Sequence, residues 1–284
     1  MVKQMVSQLT KGLRAGIGFL TTIPMKLGPD DFFCFTERIY IFIIVGVLAG
    51  AILGVSGYLM QVFLPAAIVP VLVIACIYLL TGINHLDGLS DLGDGVIASG
   101  PREKKVAAMK DVHAGAGGVL FIGMDLLLLY SVISLFTGMG LILLFPLFVA
   151  EICAKVAIAT VASFGKSAHE GMGALVVNGA KNEHYVLGVL LAIASAFIAM
   201  AFWTFSTSSY DGISLYGLFL ILQQAFTMGI LGLLAVISAV LVGLAFINIG
   251  NRHFGGVSGD VMGAANETAR IVALFLMGVL LWMR

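Results

Sequence analysis

The sequence predicts an all-α fold: a polytopic, integral-membrane helical bundle of about seven transmembrane helices with an N-terminal amphipathic helix. Three observations lead there. Hydrophobic residues make up 60% of the 284 positions and charged residues only 11%. Mean hydropathy is +1.09, far above the range of soluble domains. The apolar residues also gather into stretches of about 20, the length that carries a helix across a bilayer core.

The first stretch differs from the rest. Val2, Met5, Val6, Leu9, Leu13, Ile17 and Leu20 recur at helical spacing, while Lys3, Lys11 and Arg14 share the opposite side. This is an amphipathic helix, lying either in the membrane interface or against the protein's own cytosolic face. It has no compact apolar core followed by a small-residue cleavage site, so it does not read as a cleavable signal peptide. Residues 1–31 are accordingly an amphipathic interfacial segment, and residues 32–284 a single polytopic catalytic domain.

Hydropathy places the spans at 37–60, 64–82, 117–136, 139–163, 185–206, 213–248 and 266–283. The sixth is too long for one ordinary crossing. Gln223-Gln224 either divides it or lies within a long tilted helix. With the N-terminus inside, the inner segments hold Lys3, Lys11, Arg14 and Lys26, then Arg102, Lys104, Lys105 and Lys110, then Lys166, Lys181 and Arg252. The outer turns near 61–63, 137–138 and 207–212 have no Lys or Arg, which leaves Arg284 as the only external basic residue. The balance of 15 basic and 15 acidic residues gives no net charge and argues against a nucleic-acid partner. Cys34, Cys76 and Cys153 lie in or beside apolar runs without metal-ligand spacing and read as buried hydrophobes.

Three polar constellations fall on the cytoplasmic side of this topology. The first is His85-Leu-Asp-Gly-Leu-Ser-Asp-Leu-Gly-Asp-Gly95. On a helix, Asp87, Asp91 and Asp94 occupy a sector of roughly 60°, with His85 on the opposite side. Such a face repels itself unless it holds a cation, and hard oxygen ligands suit Mg²⁺ or Mn²⁺, ions commonly used to grip phosphate. His85 is better placed for a substrate contact than for the metal. The second is a short basic helix entered through Pro101 and ending in Lys110-Asp111, before a glycine turn. Lys110 is suited to neutralise a phosphate, and Asp111 to complete the metal shell or orient a nucleophile. The third is Asn251-Arg252-His253-Phe254-Gly255-Gly256-Val257-Ser258-Gly259-Asp260, followed by Asn266, Glu267 and Arg270. Glycine-rich backbone ahead of a helix can turn N–H groups toward an anion. Ionisable groups such as Glu267 and Arg270 within an apolar helix are costly and usually functional. Glu151 and Lys155, at i and i+4, read as a pair, His169-Glu170-Gly171-Met172-Gly173 as a loop over the site, and Asp125 and His184 as structural.

These blocks resemble the cobalamin synthase family, whose activity is adenosylcobinamide-GDP ribazoletransferase, also called cobalamin-5′-phosphate synthase. The 85–95 run resembles the family's His-Leu-Asp-Gly-Leu-Ala-Asp signature with its following Asp-Gly. Met109-Lys-Asp111 with Gly115 and Gly118 resembles its Met-Lys-Asp segment, Gly255-Gly-Val-Ser-Gly-Asp260 its Gly-Gly-Val-Thr-Gly-Asp loop, and Phe19-Leu-Thr-Thr-Ile-Pro24 its Phe-Leu-Thr-Arg-Leu-Pro. Thr22, His113 and Lys155 stand where the family tends to carry Arg, and none of them reproduces a bidentate guanidinium.

The resemblance implies that GDP-activated cobinamide and α-ribazole, or its 5′-phosphate, are joined with release of GMP, in the cytoplasmic membrane of a prokaryote and on its cytoplasmic face. Asp87, Asp91, Asp94 and Asp111 are then the expected Mg²⁺ or Mn²⁺ ligands, with Lys110 beside them in catalysis. His85, Gly255, Gly256, Ser258, Gly259, Asp260, Asn266, Glu267 and Arg270 are expected to bind substrate. The lipid bilayer, further copies of the chain and other corrinoid-assembly enzymes are the expected partners. A CDP-alcohol phosphotransferase is a rival reading, but the Ala-Arg expected after its Asp-Gly motif is missing behind Asp87-Gly88. A divalent-cation transporter is another, although its ion site would lie near mid-membrane and not at the end of a span.

Overall fold

A computed structural model describes residues 2–207 and 215–282. The outer turn expected near 207–212 and the external Arg284 fall almost wholly outside the described residues. The order of helices is α1 (Val2–Leu20), α2 (Asp31–Glu37), α3 (Tyr40–Phe63), α4 (Val69–Thr81), α5 (Asn84–Ile97), α6 (Arg102–Met109) and α7 (Ala116–Ser134). There follow α8 (Leu144–Phe164), entered through a short 3₁₀ turn, then α9 (Met172–Gly179), α10 (Asn182–Thr207), α11 (Leu215–His253) and α12 (Gly259–Trp282). The described residues contain no strand, so the all-α expectation holds.

Helix α8 is the axis of the bundle. Every residue from Val149 to Ala162 is buried, and α3, α10, α11 and α12 pack around it. Against α3 the approach is made by Gly46, Gly50 and Gly54, one turn apart. A Cβ on Gly50 would stand 2.5 Å from the Phe148 carbonyl oxygen, and one on Gly54 2.7 Å from that of Leu144. Small residues at this spacing let two backbones meet where apolar lipid offers no hydrophobic drive for association.

Among the described residues five helices are long and apolar enough to cross a membrane: 40–63, 116–134, 140–164, 182–204 and 216–253. The pair α4 and α5, bent by 97°, makes a sixth if taken as one broken span. The expected count of seven is therefore not reached among the described residues. The stretch expected to span 64–82 is a helix of only 13 residues, about 20 Å, and the chain turns at Gly82 (φ +71°). The final stretch begins earlier than hydropathy suggests, because α12 starts at Gly259 and brings Asp260 into the same helix as Glu267 and Arg270. The long sixth stretch is one helix of 39 residues, unbroken at Gln223-Gln224.

The interior of the bundle holds a charged network. Arg270 Nε donates to Glu151 Oε1 at 2.5 Å and its Nη1 to Glu267 Oε2. Lys155 Nζ donates to Asn266 Oδ1 (2.7 Å), and Asn266 Nδ2 to Glu267 Oε1 (2.9 Å). The Tyr78 hydroxyl lies 3.2 Å from both Glu267 and Asp125. Glu151 and Lys155 thus do not bond each other as their spacing suggests, because α12 offers each a partner pointing directly at it. Four helices, α4, α7, α8 and α12, are tied together through this cluster.

Candidate active site

Helix α5 forms because Leu86, Leu89 and Leu92 give it an apolar side; Leu89 and Leu92 are buried against the bundle. Its other side carries the carboxylates. Gly88 is the contact with α12: a Cβ there would stand 2.8 Å from Asp260 Cα, so only glycine lets Asp260 come this close to Asp87 and Asp91. Gly263 does the same against the His85 backbone, at 3.0 Å from its Cα.

The glycine loop is shorter than the sequence suggests, since α11 runs through His253 and α12 begins at Gly259. A single bridge pairs Ser167 with Val257. In it the Ala168 N–H donates to Val257 O (2.9 Å) and the Val257 N–H to Lys166 O (2.8 Å). The N–H groups of Phe254 and Gly256 are spent on the Gly250 carbonyl. The loop is consequently braced by several of its own amides, and fewer are left for an anion than glycine content implies. Gly255 has φ +82°, and the Arg102 guanidinium lies on it, 2.5 Å from where a Cβ would be. Arg102 makes no ion pair among the described residues. Its placement was not foreseen, because in sequence it is one more inner-loop cation.

The expected site residues separate into three groups. Asp87, Asp91 and Asp260 come together, and with them His85. Asp87, His85, Gly259 and Asp260 line a cavity of about 320 Å³, together with Phe19, Phe42, Asn84 and Met172. Ser258, buried, donates through Oγ to Asp260 Oδ2 at 3.1 Å. Asp94 is turned elsewhere: its oxygens accept the N–H groups of Gly115 (2.7 Å) and Gly118 (2.9 Å) at the start of α7. Asp111 is exposed and accepts the N–H of His113 at 2.9 Å, while Lys110 is exposed at the end of α6. Asn266, Glu267 and Arg270 lie in the buried network and not in the cavity wall.

Helix α5 stands outside the five single-helix spans. Burial, joined by repulsion from Asp87, Asp260 and Asp94, pushes the Asp91 carboxyl up to about 7. Burial also raises Asp260, partly opposed by the Ser258 hydroxyl and by His169 nearby. Asp111 is lowered by the backbone and side-chain hydrogen bonds from His113.

Among the described residues no three His, Cys, Asp or Glu side chains stand ready as a metal cage. The donor set still suits a hard, largely hydrated cation. Mg²⁺ keeps several waters and takes one or two carboxylates plus substrate phosphates, and the mutual repulsion around Asp91 is the charge that such an ion relieves. The cavity wall is what sequence reasoning missed most. Phe42 and Met262 are apolar residues in an apolar chain and carry no signature, whereas Phe19 begins one of the family-like blocks and Met172 falls in the loop expected over the site.

Known proteins resemble the chain over nearly its whole length. The family model for cobalamin-5-phosphate synthase matches residues 12–278. A relative from Methanocella arvoryzae called adenosylcobinamide-GDP ribazoletransferase is 52% identical over 99% of this chain and 100% of its own length. Relatives with the same name from Methanococcoides burtonii and Thermococcus kodakarensis are 36% and 30% identical, over 94% and 95% of this chain and 91% and 99% of theirs. No solved structure matches. With a family model spanning nearly all of it and relatives aligned from end to end, the chain belongs to the cobalamin-5-phosphate synthase family.

Proposed function

We propose that the chain is a membrane transferase joining GDP-activated (adenosyl)cobinamide to α-ribazole or α-ribazole 5′-phosphate. The products are GMP and cobalamin or cobalamin 5′-phosphate. Two things support this reading: the name shared by relatives aligned over the whole chain, and the meeting of Asp87, Asp91 and Asp260 beside a cavity that holds no Lys or Arg. The second observation carries it, because it provides a place for phosphate chemistry next to a place for an acceptor. The site would face the cytoplasm, where nucleotide-activated substrates are found.

In the reaction a ribose hydroxyl oxygen of the acceptor bonds to the cobinamide-linked phosphorus, the bond from that phosphorus to the GMP oxygen breaks, and the hydroxyl proton departs. Asp87 and Asp91 would hold Mg²⁺ or Mn²⁺. When bound, the ion compensates charge on the pyrophosphate and the leaving GMP. Asp260, oriented by Ser258, faces the cavity and would accept the hydroxyl proton. Arg102 on Gly255, with exposed Lys110, would draw the anionic donor to the cytoplasmic rim. Asp94 would act at one remove, fixing α7 against α5.

Membranes containing the chain, given GDP-cobinamide, α-ribazole or its phosphate, and Mg²⁺, are expected to release GMP in step with a new corrinoid. GMP release without an acceptor, or no release from any pairing of substrates, defeats the reading. Divalent-cation flux in sealed vesicles without nucleotide would favour a transporter instead.

A further inference from the structure

We infer that the cavity beside Asp87 and Asp260 seats the acceptor nucleoside alone, its aromatic base in the apolar half and its ribose at the acidic end, while corrinoid and guanosine diphosphate remain outside. This rests on the transferase reading above and specifies how its two substrates are divided.

Size comes first. At about 320 Å³ the cavity is at the small end of the roughly 300–1,000 Å³ range of small-molecule sites. An N-riboside of a fused aromatic base is of that scale, whereas a corrinoid carrying a nucleotide is several times larger. Charge comes second. Asp87 and Asp260 are the charged residues in the wall, with no Lys or Arg in the lining, so a diphosphate is met only through the cation that Asp87 would hold, whereas a neutral nucleoside needs none.

The third argument is the distribution of the lining. Phe19 and Leu20 from the end of α1, Phe42 from α3, Val176 from α9 and Met262 from α12 supply apolar and polarizable lining, suited to an aromatic ring. Most of the polar lining, Thr81, Asn84, His85 and Asp87, comes from a separate stretch where α4 meets α5, and α12 adds Asp260. His85, whose Nδ1 is buried with no partner among the described residues, belongs to this polar part of the lining. A ribose offers hydroxyls to such atoms and a base does not need them. It follows that α1 and α9, which hydropathy sets aside as surface pieces, decide which base is accepted.

The test is kinetic, on the full chain in membranes. Val176→Phe narrows the apolar half. Its expected effect is a rise of about tenfold in KM for α-ribazole, the scale of one misfitting group in a pocket, with KM for GDP-cobinamide unchanged and with near-normal use of an imidazole riboside, whose base is smaller. A rise in KM for GDP-cobinamide, or no change for α-ribazole, overturns the proposal. Should Val176→Phe fail to fold, Phe19→Ala decides. It is expected to improve use of a naphthimidazole riboside relative to α-ribazole, and an unchanged base preference overturns the proposal. Failure of the unmodified protein to release GMP is a different result, and it removes the transferase reading itself.

Discussion

Two sets of ionisable side chains occur in this apolar bundle, and they are connected in opposite ways. In the interior, Glu151, Lys155, Glu267 and Arg270 are at most 1% exposed, and each bonds to a neighbour of opposite charge or to an amide. On α5 and the start of α12, Asp87, Asp91 and Asp260 have carboxylates for charged company, one another and Asp94 beside Asp91, apart from His169 near Asp260. The first set closes on itself and ties helices together. The second is left with uncompensated negative charge, which is the condition of a group that waits for a ligand. Both look alike in sequence, as charges where charges are rare. Only partners distinguish a structural cluster from a reactive one.

Arg270→Met should have the largest effect, because it leaves Glu151 and Glu267 buried without their cation. Loss of one member of a buried pair costs about 3–5 kcal/mol. The melting temperature in detergent should fall steeply, and adding Glu151→Gln and Glu267→Gln should recover much of it. An Arg270→Met protein that melts like the parent would mean that the network does not hold the bundle. Asp87→Asn should do the reverse: GMP release falls about 100- to 1,000-fold, the scale of removing one preorganised electrostatic group from a reacting centre, with melting unchanged. Loss of melting temperature in parallel with activity would put Asp87 in the structural class.

The third effect is on pH. Burial and three neighbouring carboxylates hold Asp91 at about 7, so below that value a proton competes with any cation. Mg²⁺ affinity is expected to be about tenfold weaker at pH 6 than at pH 8, following the ionised fraction of one such group. Asp91→Asn should flatten that dependence. If the parent's affinity is already flat from pH 6 to 8, Asp91 is not a ligand. The smallest effect belongs to Tyr78→Phe, which removes a hydroxyl shared by Asp125 and Glu267. A cost of about 1 kcal/mol is expected, with activity close to normal.

Much of this was legible in the sequence, and the part that was not has a common cause. Periodicity located α5 and α6, glycine content located the loop before α12, and the family-like blocks include Asp87, Asp91 and Asp260, which meet in space, along with Lys110 and Asp111, which stay exposed. The count of seven crossings is not matched among the described residues, because hydropathy registers composition and not direction: it counts 64–82 as a span, where the chain turns by 97° after 13 helical residues. The three Asp of α5 share a helical face as their spacing requires, yet Asp94 is claimed by two amides 21 and 24 residues further along. No intrahelical pattern reports a partner at that distance. Asp260 joins Asp87 across 173 positions for the same reason, through a close approach at Gly88 that one sequence does not announce.

The grip of Asp94 on α7 also bears on how the protein is assembled. The N-cap position of α7 is Gly115, which has no side chain to satisfy the first amides of its own helix. The cap is delivered by another helix, so the opening turn of α7 is complete only once α5 has docked. Synthesis makes α5 first, and α7 then meets a finished surface that finishes it in turn. The amide hydrogens of Gly115 and Gly118 therefore serve as a gauge of whether the acidic helix is seated. Slow exchange at these two positions would report an intact site in a protein too apolar for many other probes.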